Sequence, residues 1–305
     1  MTSYSEDVLI EQPAINCFSN LNWFPTNCFY ESFGSNGSLG RETPSEAVLV
    51  SHLRPALQKL NPELSPEAIE LAIEELTKDR SSLSPTNANR EIYKLLKDGV
   101  PVTIRNRRGE EVQELVRVID LEHTEKNDFF LASQFWITGD MYKRRADLIG
   151  FVNGLPLVFI ELKPIHKRLE NAYYGNLTDY KDTIPQIFWY NGFIILSNGS
   201  ESKIGTISSQ WEHFADWKKI NSEGEEGVIS LETMIRGTCE PKRLLDILEN
   251  FILYSDEKGG LVKMVAKNHQ YLGVNSVFEA VRDIKDNRGR LGVSRPSEPL
   301  EPNDS

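Results

Sequence analysis

Residues 144–163 read Arg144-Arg145-Ala146-Asp147-Leu148-Ile149-Gly150-Phe151-Val152-Asn153-Gly154-Leu155-Pro156-Leu157-Val158-Phe159-Ile160-Glu161-Leu162-Lys163. Two apolar runs flank Asn153-Gly154, a strong hairpin signal. Asp147 opens the first run, Glu161 and Lys163 close the second, and Pro164 stops it. Side chains alternate along a strand, so Glu161 and Lys163 project to one side. Register decides whether Asp147 joins them. A two-residue turn would set Asp147 opposite Ile160 and point it away from Glu161. A three-residue loop, Val152-Asn153-Gly154 with Gly154 left-handed, would set it opposite Phe159, on the face of Glu161. The three-residue loop, or a bulge of the same effect, is the expectation.

Those residue types suit one chemistry. Phosphodiester hydrolysis needs negative charge neutralised on phosphate and a water activated for attack. Asp147 and Glu161 are hard oxygen ligands of the kind that hold Mg²⁺, with the carbonyl of Leu162 as a further ligand. Lys163 would orient or deprotonate the water and stabilise developing charge. The same residues also fit a plainer picture, an exposed Glu161–Lys163 ion pair at a strand end with Asp147 as a turn or cap residue.

The 305 residues suffice for a full core, and 39% hydrophobic with 26% charged residues describe an ordinary soluble protein. No apolar run has the length of a membrane span, and the first residues do not form a signal peptide. Cys17, Cys28 and Cys239 are too scattered for a disulfide framework or a zinc site, so buried thiols in a reducing cytoplasm are expected. A net charge of −11 argues against a protein that coats DNA. Locally the balance inverts: Lys143, Arg144, Arg145, Lys163, Lys167 and Arg168 face only Asp147 and Glu161 within their span, which fits a phosphate-bearing substrate or a solvated charged edge.

Periodicity and end signals place helices over Glu6 to about Trp23 (with Glu11 on it), Ser45 to Leu60, Ser65-Pro66-Glu67 to Leu76, Asn87 to Lys97, Leu169 to Thr183 and Pro241 to Tyr254. Strands are expected over Val102–Arg105, Val112–Ile119, Phe129–Ile137, Phe193–Ser197 and Ile204–Ile207. Trp211 and Trp217 read as core packing, and Asn221 to Gly227 as a flexible loop. Disorder is expected over 294–305.

A family resemblance rests on Leu60-Asn61-Pro62, Asn89-Arg90, Asp98-Gly99-Val100, Asn127-Asp128-Phe129 and Ser133-Gln134-Phe135. More specific are Arg145-Ala146-Asp147, Asn153 to Val158, Glu161-Leu162-Lys163, Asp179-Tyr180-Lys181, Ile184-Pro185-Gln186 and Tyr190-Asn191 to Gly199. From about Ser5 to Val293 the chain resembles the N-terminal part of the restriction subunit of type I restriction-modification enzymes. The resemblance implies an α/β fold with a PD-(D/E)xK restriction-endonuclease-like core, a mixed sheet flanked by helices, and Asp147, Glu161 and Lys163 as its catalytic set with Mg²⁺. It implies double-stranded DNA as substrate, methylation and specificity subunits as partners, and a cytoplasmic location. The endonuclease domain would span 1–258, with a helical insertion at about 44–97 and a catalytic core at about 100–210.

Arg144 and Arg145 are expected to support DNA binding. The family also carries a Gln-x-x-x-Tyr element in the helix after the lysine; Tyr180 matches its tyrosine, whereas Asn176 stands where the glutamine would be. Asn is shorter by one methylene, which weakens any contact made by that amide. Glu11 is a possible added carboxylate by the same resemblance.

Toward the C-terminus, Lys267-Asn268-His269-Gln270-Tyr271 resembles the adenine-reading element before a helicase core, and 259–293 would begin that domain. Gly289 to Val293 reads as the strand before a phosphate-binding loop, but no Gly-x-x-x-x-Gly-Lys-Ser/Thr follows. Hence truncation before the motor is expected, with no ATP-binding residue. The alternatives are a stand-alone nuclease of the same fold and an inactive fragment that docks on the other restriction subunits.

Overall fold

In the computed structural model, residues 10–105 and 108–291 are described, with backbone alone for residue 283 and residues 285–291. Helix α1 spans Gln12–Asn20 and leads into strand β1, Phe24–Asn27. Three helices follow, α2 (Val50–Leu60), α3 (Pro66–Thr77) and α4 (Pro85–Asp98). Strands β2 (Val100–Arg105), β3 (Glu111–Val116), β4 (Phe129–Thr138), β5 (Lys143–Val152) and β6 (Leu155–Leu162) come next. Helix α5 (Thr178–Thr183) precedes β7 (Phe193–Ser197), β8 (Ser202–Gly205) and β9 (Ala215–Asp216). The chain continues through α6 (Ser230–Thr238), α7 (Pro241–Asn250), β10 (Ile252–Glu257), β11 (Gly260–Val265) and α8 (Asn268–Leu291).

The architecture is mixed α/β. The main sheet has order β1-β4-β5-β6-β7-β8-β9, with β1–β4 and β6–β7 parallel and the other neighbours antiparallel. β2–β3 and β10–β11 are separate antiparallel pairs. Every residue of β6 is buried, so its near-continuous apolar run has no solvent face to alternate against.

Local chemistry sets the helix ends. Ser65 Oγ accepts from the Ala68 amide with Pro66 at the first turn, and Ser84 Oγ accepts from Asn87 with Pro85 behind it. Gly99, at φ +87°, ends α4. Asn89 of α4 is a tie point. Its Nδ2 donates to the carbonyls of Phe188, Trp189 and Asn191, and its Oδ1 accepts from Tyr254 and Lys263 of the β10–β11 pair.

Several sequence expectations are corrected. The opening helix stops at Asn20, and the following residues form β1, a short edge strand; residues before 10 lie outside the described residues. The second helix begins at Val50 rather than Ser45. The helix from Pro241 ends at Asn250, since Ile252 to Tyr254 turn into β10 and pair with Lys263 to Val265. Residues 289–291 continue α8 rather than forming a strand. The tail 294–305 and residues 292–293 lie outside the described residues. Trp217 is buried, while Trp211 packs with Tyr173 and Phe214. Cys28 and Cys239 are buried and Cys17 half-buried, all three free. Burial pushes the Cys239 and Cys28 thiols up to about 12 and that of Cys17 to about 11, so they are protonated at neutral pH. Among the described residues, no helix is long and apolar enough to cross a membrane.

Candidate active site

The β5–β6 hairpin closes in two residues, not three. Val152 pairs with Leu155, and Asn153 and Gly154 both have positive φ, +51° and +79°, as a type I′ turn requires. A side chain at Gly154 would meet the Leu49 carbonyl at 2.4 Å and the Leu53 amide at 2.8 Å, so only glycine fits. The face of Asp147 is set by a bulge instead. Gly150 pairs with Val158 and Phe151 with Pro156, leaving Leu157 as the extra residue on β6. Beyond it Leu148 pairs with Ile160, a register that, continued by one residue, brings Asp147 opposite Glu161 itself. Leu157 carried no sequence signal because β6 is apolar on both faces.

The ladder ends there and the strands fork. Asp147 Oδ2 accepts from the Leu162 amide at 2.7 Å, reaching into the gap between β5 and β6. β6 meanwhile stays paired with β7 through Glu161–Leu196 and Leu162–Ser197. Glu161 is 1% exposed, and its Oε1 accepts from Lys163 Nζ at 2.7 Å. The Lys163 amide donates to the Ser197 carbonyl, fixing the backbone that carries the ammonium. The pair is thus held at the mouth of a buried strand rather than on an exposed strand end, with the Lys163 side chain 16% exposed. Asp147 is half-buried.

One residue that the sequence reading left unassigned shapes this fork. Gln134 sits in β4 at φ +56°, a conformation rare outside glycine. Ser133 pairs with Leu148 and Phe135 with Ala146, so Gln134 and Asp147 face each other where the ladder is interrupted. Phe130 and Phe135, an odd number of residues apart, both lie against the Phe151 ring, with centroids 6.0 and 5.4 Å away. Strand alternation therefore flips phase between them, and the left-handed Gln134 supplies the flip. Its side chain donates to Glu11 Oε2 at 2.6 Å. Glu11 is buried against Gln134, and no group of three or more His, Cys, Asp or Glu suited to a metal forms among the described residues. No local pattern in Ser133-Gln134-Phe135 announces this turn of the backbone.

The two arginines before Asp147 diverge. Arg144 makes a two-pronged ion pair with Asp179 of α5, Nε to Oδ2 at 2.6 Å and Nη2 to Oδ1 at 2.8 Å. Arg145 lies over its cross-strand neighbour Trp136 and over Phe29, at 5.4 and 5.1 Å from the ring centroids. Tyr180 turns inward from α5. Its ring meets Phe159 edge-on at 5.8 Å, and its hydroxyl donates to the Arg145 carbonyl at 3.2 Å. Burial, followed by the charge of Glu161, pushes the Tyr180 phenol above its usual range, so it stays a donor. Asn176 is half-buried, pulls the Tyr180 phenol back down through its side-chain amide, and lies on a π-helical turn, Ala172–Leu177, that leads into α5.

Residues 3–213 match the family model described as the type I restriction enzyme R protein N terminus. The chain belongs to that family. It is 35% identical over 268 residues to the type I restriction enzyme HindI endonuclease subunit of Haemophilus influenzae, an alignment covering 84% of this chain and 25% of the relative. It is 27% identical over 311 residues to the MjaIXP endonuclease subunit of Methanocaldococcus jannaschii, named as a type I restriction enzyme, covering 92% and 28% of the two chains. A Staphylococcus aureus subunit, SauMSSORF170P, is 22% identical over 200 residues, covering 65% of this chain and 20% of the relative. The chain spans about a quarter of the length of the curated relatives it matches.

Proposed function

We propose that this chain is the Mg²⁺-dependent DNA-cleaving part of a type I restriction endonuclease subunit, built on a PD-(D/E)xK core. The observation that carries the reading is the fork. It sets Asp147 and Glu161 one step past the last β5–β6 pair, Leu148–Ile160, with Asp147 Oδ2 on the Leu162 amide and Lys163 Nζ on the Glu161 carboxylate. Two carboxylates with one carbonyl match Mg²⁺ better than a closed protein cage would, because Mg²⁺ keeps several waters and binds substrate phosphate oxygens. Asp147, Glu161 and the carbonyl of Leu162 would hold the ion, which when bound supplies charge neutralisation at the phosphate and a more acidic water.

The chain's own groups do the remaining work. Lys163 holds Glu161 in place at Oε1, and its ammonium orients the attacking water and stabilises the charge that develops on phosphate. Asp147 is aimed by the Leu162 amide. Arg144 fixes α5 to β5 through Asp179, and α5 in turn carries Tyr180, which supports the Arg145 backbone. Asn176 supports that phenol. Duplex DNA is the substrate in this reading, and methylation and specificity subunits are the partners that choose where it is cut, in the cytoplasm. ATP binding is assigned to none of these residues.

Nicking of a supercoiled plasmid tests the proposal. Wild-type chain should nick with Mg²⁺ and not with EDTA, and Lys163→Ala should slow nicking by about 100-fold or more. Equal rates for the two proteins would remove Lys163 from the mechanism. No metal-dependent nicking by wild type, together with capture of methylation or specificity subunits, would make the chain a docking fragment.

A further inference from the structure

Next to the fork lies a patch whose aromatic rings have no role in the proposed cleavage. Tyr30 is 91% exposed and Phe29 38%, packed edge to face at 4.8 Å. Phe29 continues to Trp136, whose indole Nε1 donates to the Phe29 carbonyl at 3.0 Å. Two cations are interleaved with these rings. Arg145 lies over Phe29 and Trp136, and Lys143 Nζ stands 4.4 Å from the Trp136 centroid. Both are exposed, and among the described residues neither enters an ion pair, in contrast to Arg144 with Asp179. Arg145 is two residues from Asp147 along β5, about 7 Å of strand rise, so the patch runs directly into the fork.

We propose that Phe29, Tyr30 and Trp136, with Lys143 and Arg145, form a stacking platform that holds an unpaired stretch of DNA beside the Asp147–Glu161 fork. The inference rests on the nuclease reading and narrows its substrate. A duplex offers phosphates but hides its base faces, so exposed rings gain little from it. A single strand offers both, bases to stack on the rings and phosphates to meet the cations. Charge complementarity singles out this occupant: two cations that enter no ion pair among the described residues cluster on a chain of net charge −11. The continuity of the patch with the fork would lead the strand's backbone past Arg145 to Asp147.

Fluorescence anisotropy on the full chain in EDTA tests this, with labelled oligothymidine and a duplex of the same length. The strand should bind more tightly than the duplex. Tyr30→Ala should weaken strand binding by about five- to tenfold, with duplex binding within about twofold and recovery in Tyr30→Trp. Tyr30 is too exposed for its replacement to threaten the fold. Equal affinity for duplex and strand would overturn the platform, as would an unchanged Tyr30→Ala. Strand binding lost in Arg145→Ala but untouched in Tyr30→Ala would also overturn it, because attraction would then be electrostatic alone. Binding in EDTA needs no cleavage chemistry. Strand preference without metal-dependent nicking would therefore defeat the nuclease reading alone, and nicking without strand preference would defeat the platform alone.

Discussion

The two ends of the β5–β6 hairpin are built in opposite ways. At the closed end Asn153 is fully buried, and its Nδ2 donates to the Val118 carbonyl and to Asn127 Oδ1 while its Oδ1 accepts from the Asp128 amide. Asn127 in turn brackets Asp120, accepting from its amide and donating to its carbonyl. At the open end the strands part, the ladder is interrupted at Gln134 and Asp147, and a carboxylate and an ammonium meet below the protein surface. One end satisfies its polar groups in regular geometry. The other concentrates charge where the strand pairing is interrupted. Strained, charged arrangements persist where the surrounding structure over-determines them, and the locked turn with its apolar strands supplies that constraint.

The largest effect should come from unlocking the closed end. Asn153→Ala removes a buried amide with three partners and leaves a residue that resists φ +51°, so a loss of about 2–4 kcal/mol is expected in urea unfolding. A loss below about 1 kcal/mol would mean the turn is not what constrains the hairpin.

Asp120 gives a pH handle on the same end. Burial pushes its carboxyl up, but the His123 amide, the Lys126 ammonium, the His123 ring and the Glu122 amide outweigh it and hold the pKa at about 2. A carboxyl depressed in the folded state contributes stability above its unfolded pKa and loses it as pH falls through the folded value. Wild type should therefore lose about 2 kcal/mol relative to Asp120→Asn between about pH 4 and pH 2. Parallel stability curves for the two proteins across that range would remove the charge from the network.

The smallest change in stability is expected at the open end. Gln134→Gly and Gln134→Val both lose the bond to Glu11, and because glycine accepts a left-handed backbone while a β-branched residue resists it, the valine variant should be about 1–2 kcal/mol less stable than the glycine one. Thermal melts of the three proteins give the order, and a valine variant as stable as the glycine one would show that the phase flip is not held at this residue.

Much of the scaffold was legible because its signals are local. Asn153-Gly154 marked the hairpin, Ser65-Pro66 the start of α3, and the spacing of Asp147, Glu161 and Lys163 the candidate site, whereas α4 starts at Ser84-Pro85, two residues before the expected Asn87. What escaped depended on tertiary pairing. Phe24-Pro25-Thr26-Asn27 carries a proline and only four residues, and becomes a strand by lying along β4. Ile252 to Tyr254 continue the apolar content of α7 and turn into β10 because Lys263 to Val265 pair with them. The register needed the Leu157 bulge, and Leu157 is indistinguishable from its neighbours in a strand buried on both faces. Gln134 escaped because an uncharged residue within an apolar strand gives no notice of a left-handed backbone.

The central claim, that the fork is a divalent-metal site for phosphodiester cleavage, is tested most directly by calorimetric titration of Mn²⁺ into the chain with a short duplex present, beside Asp147→Ala. Saturable binding in wild type that disappears in Asp147→Ala is the predicted result. Equal heats in the two proteins, or no saturable binding in either, would contradict it.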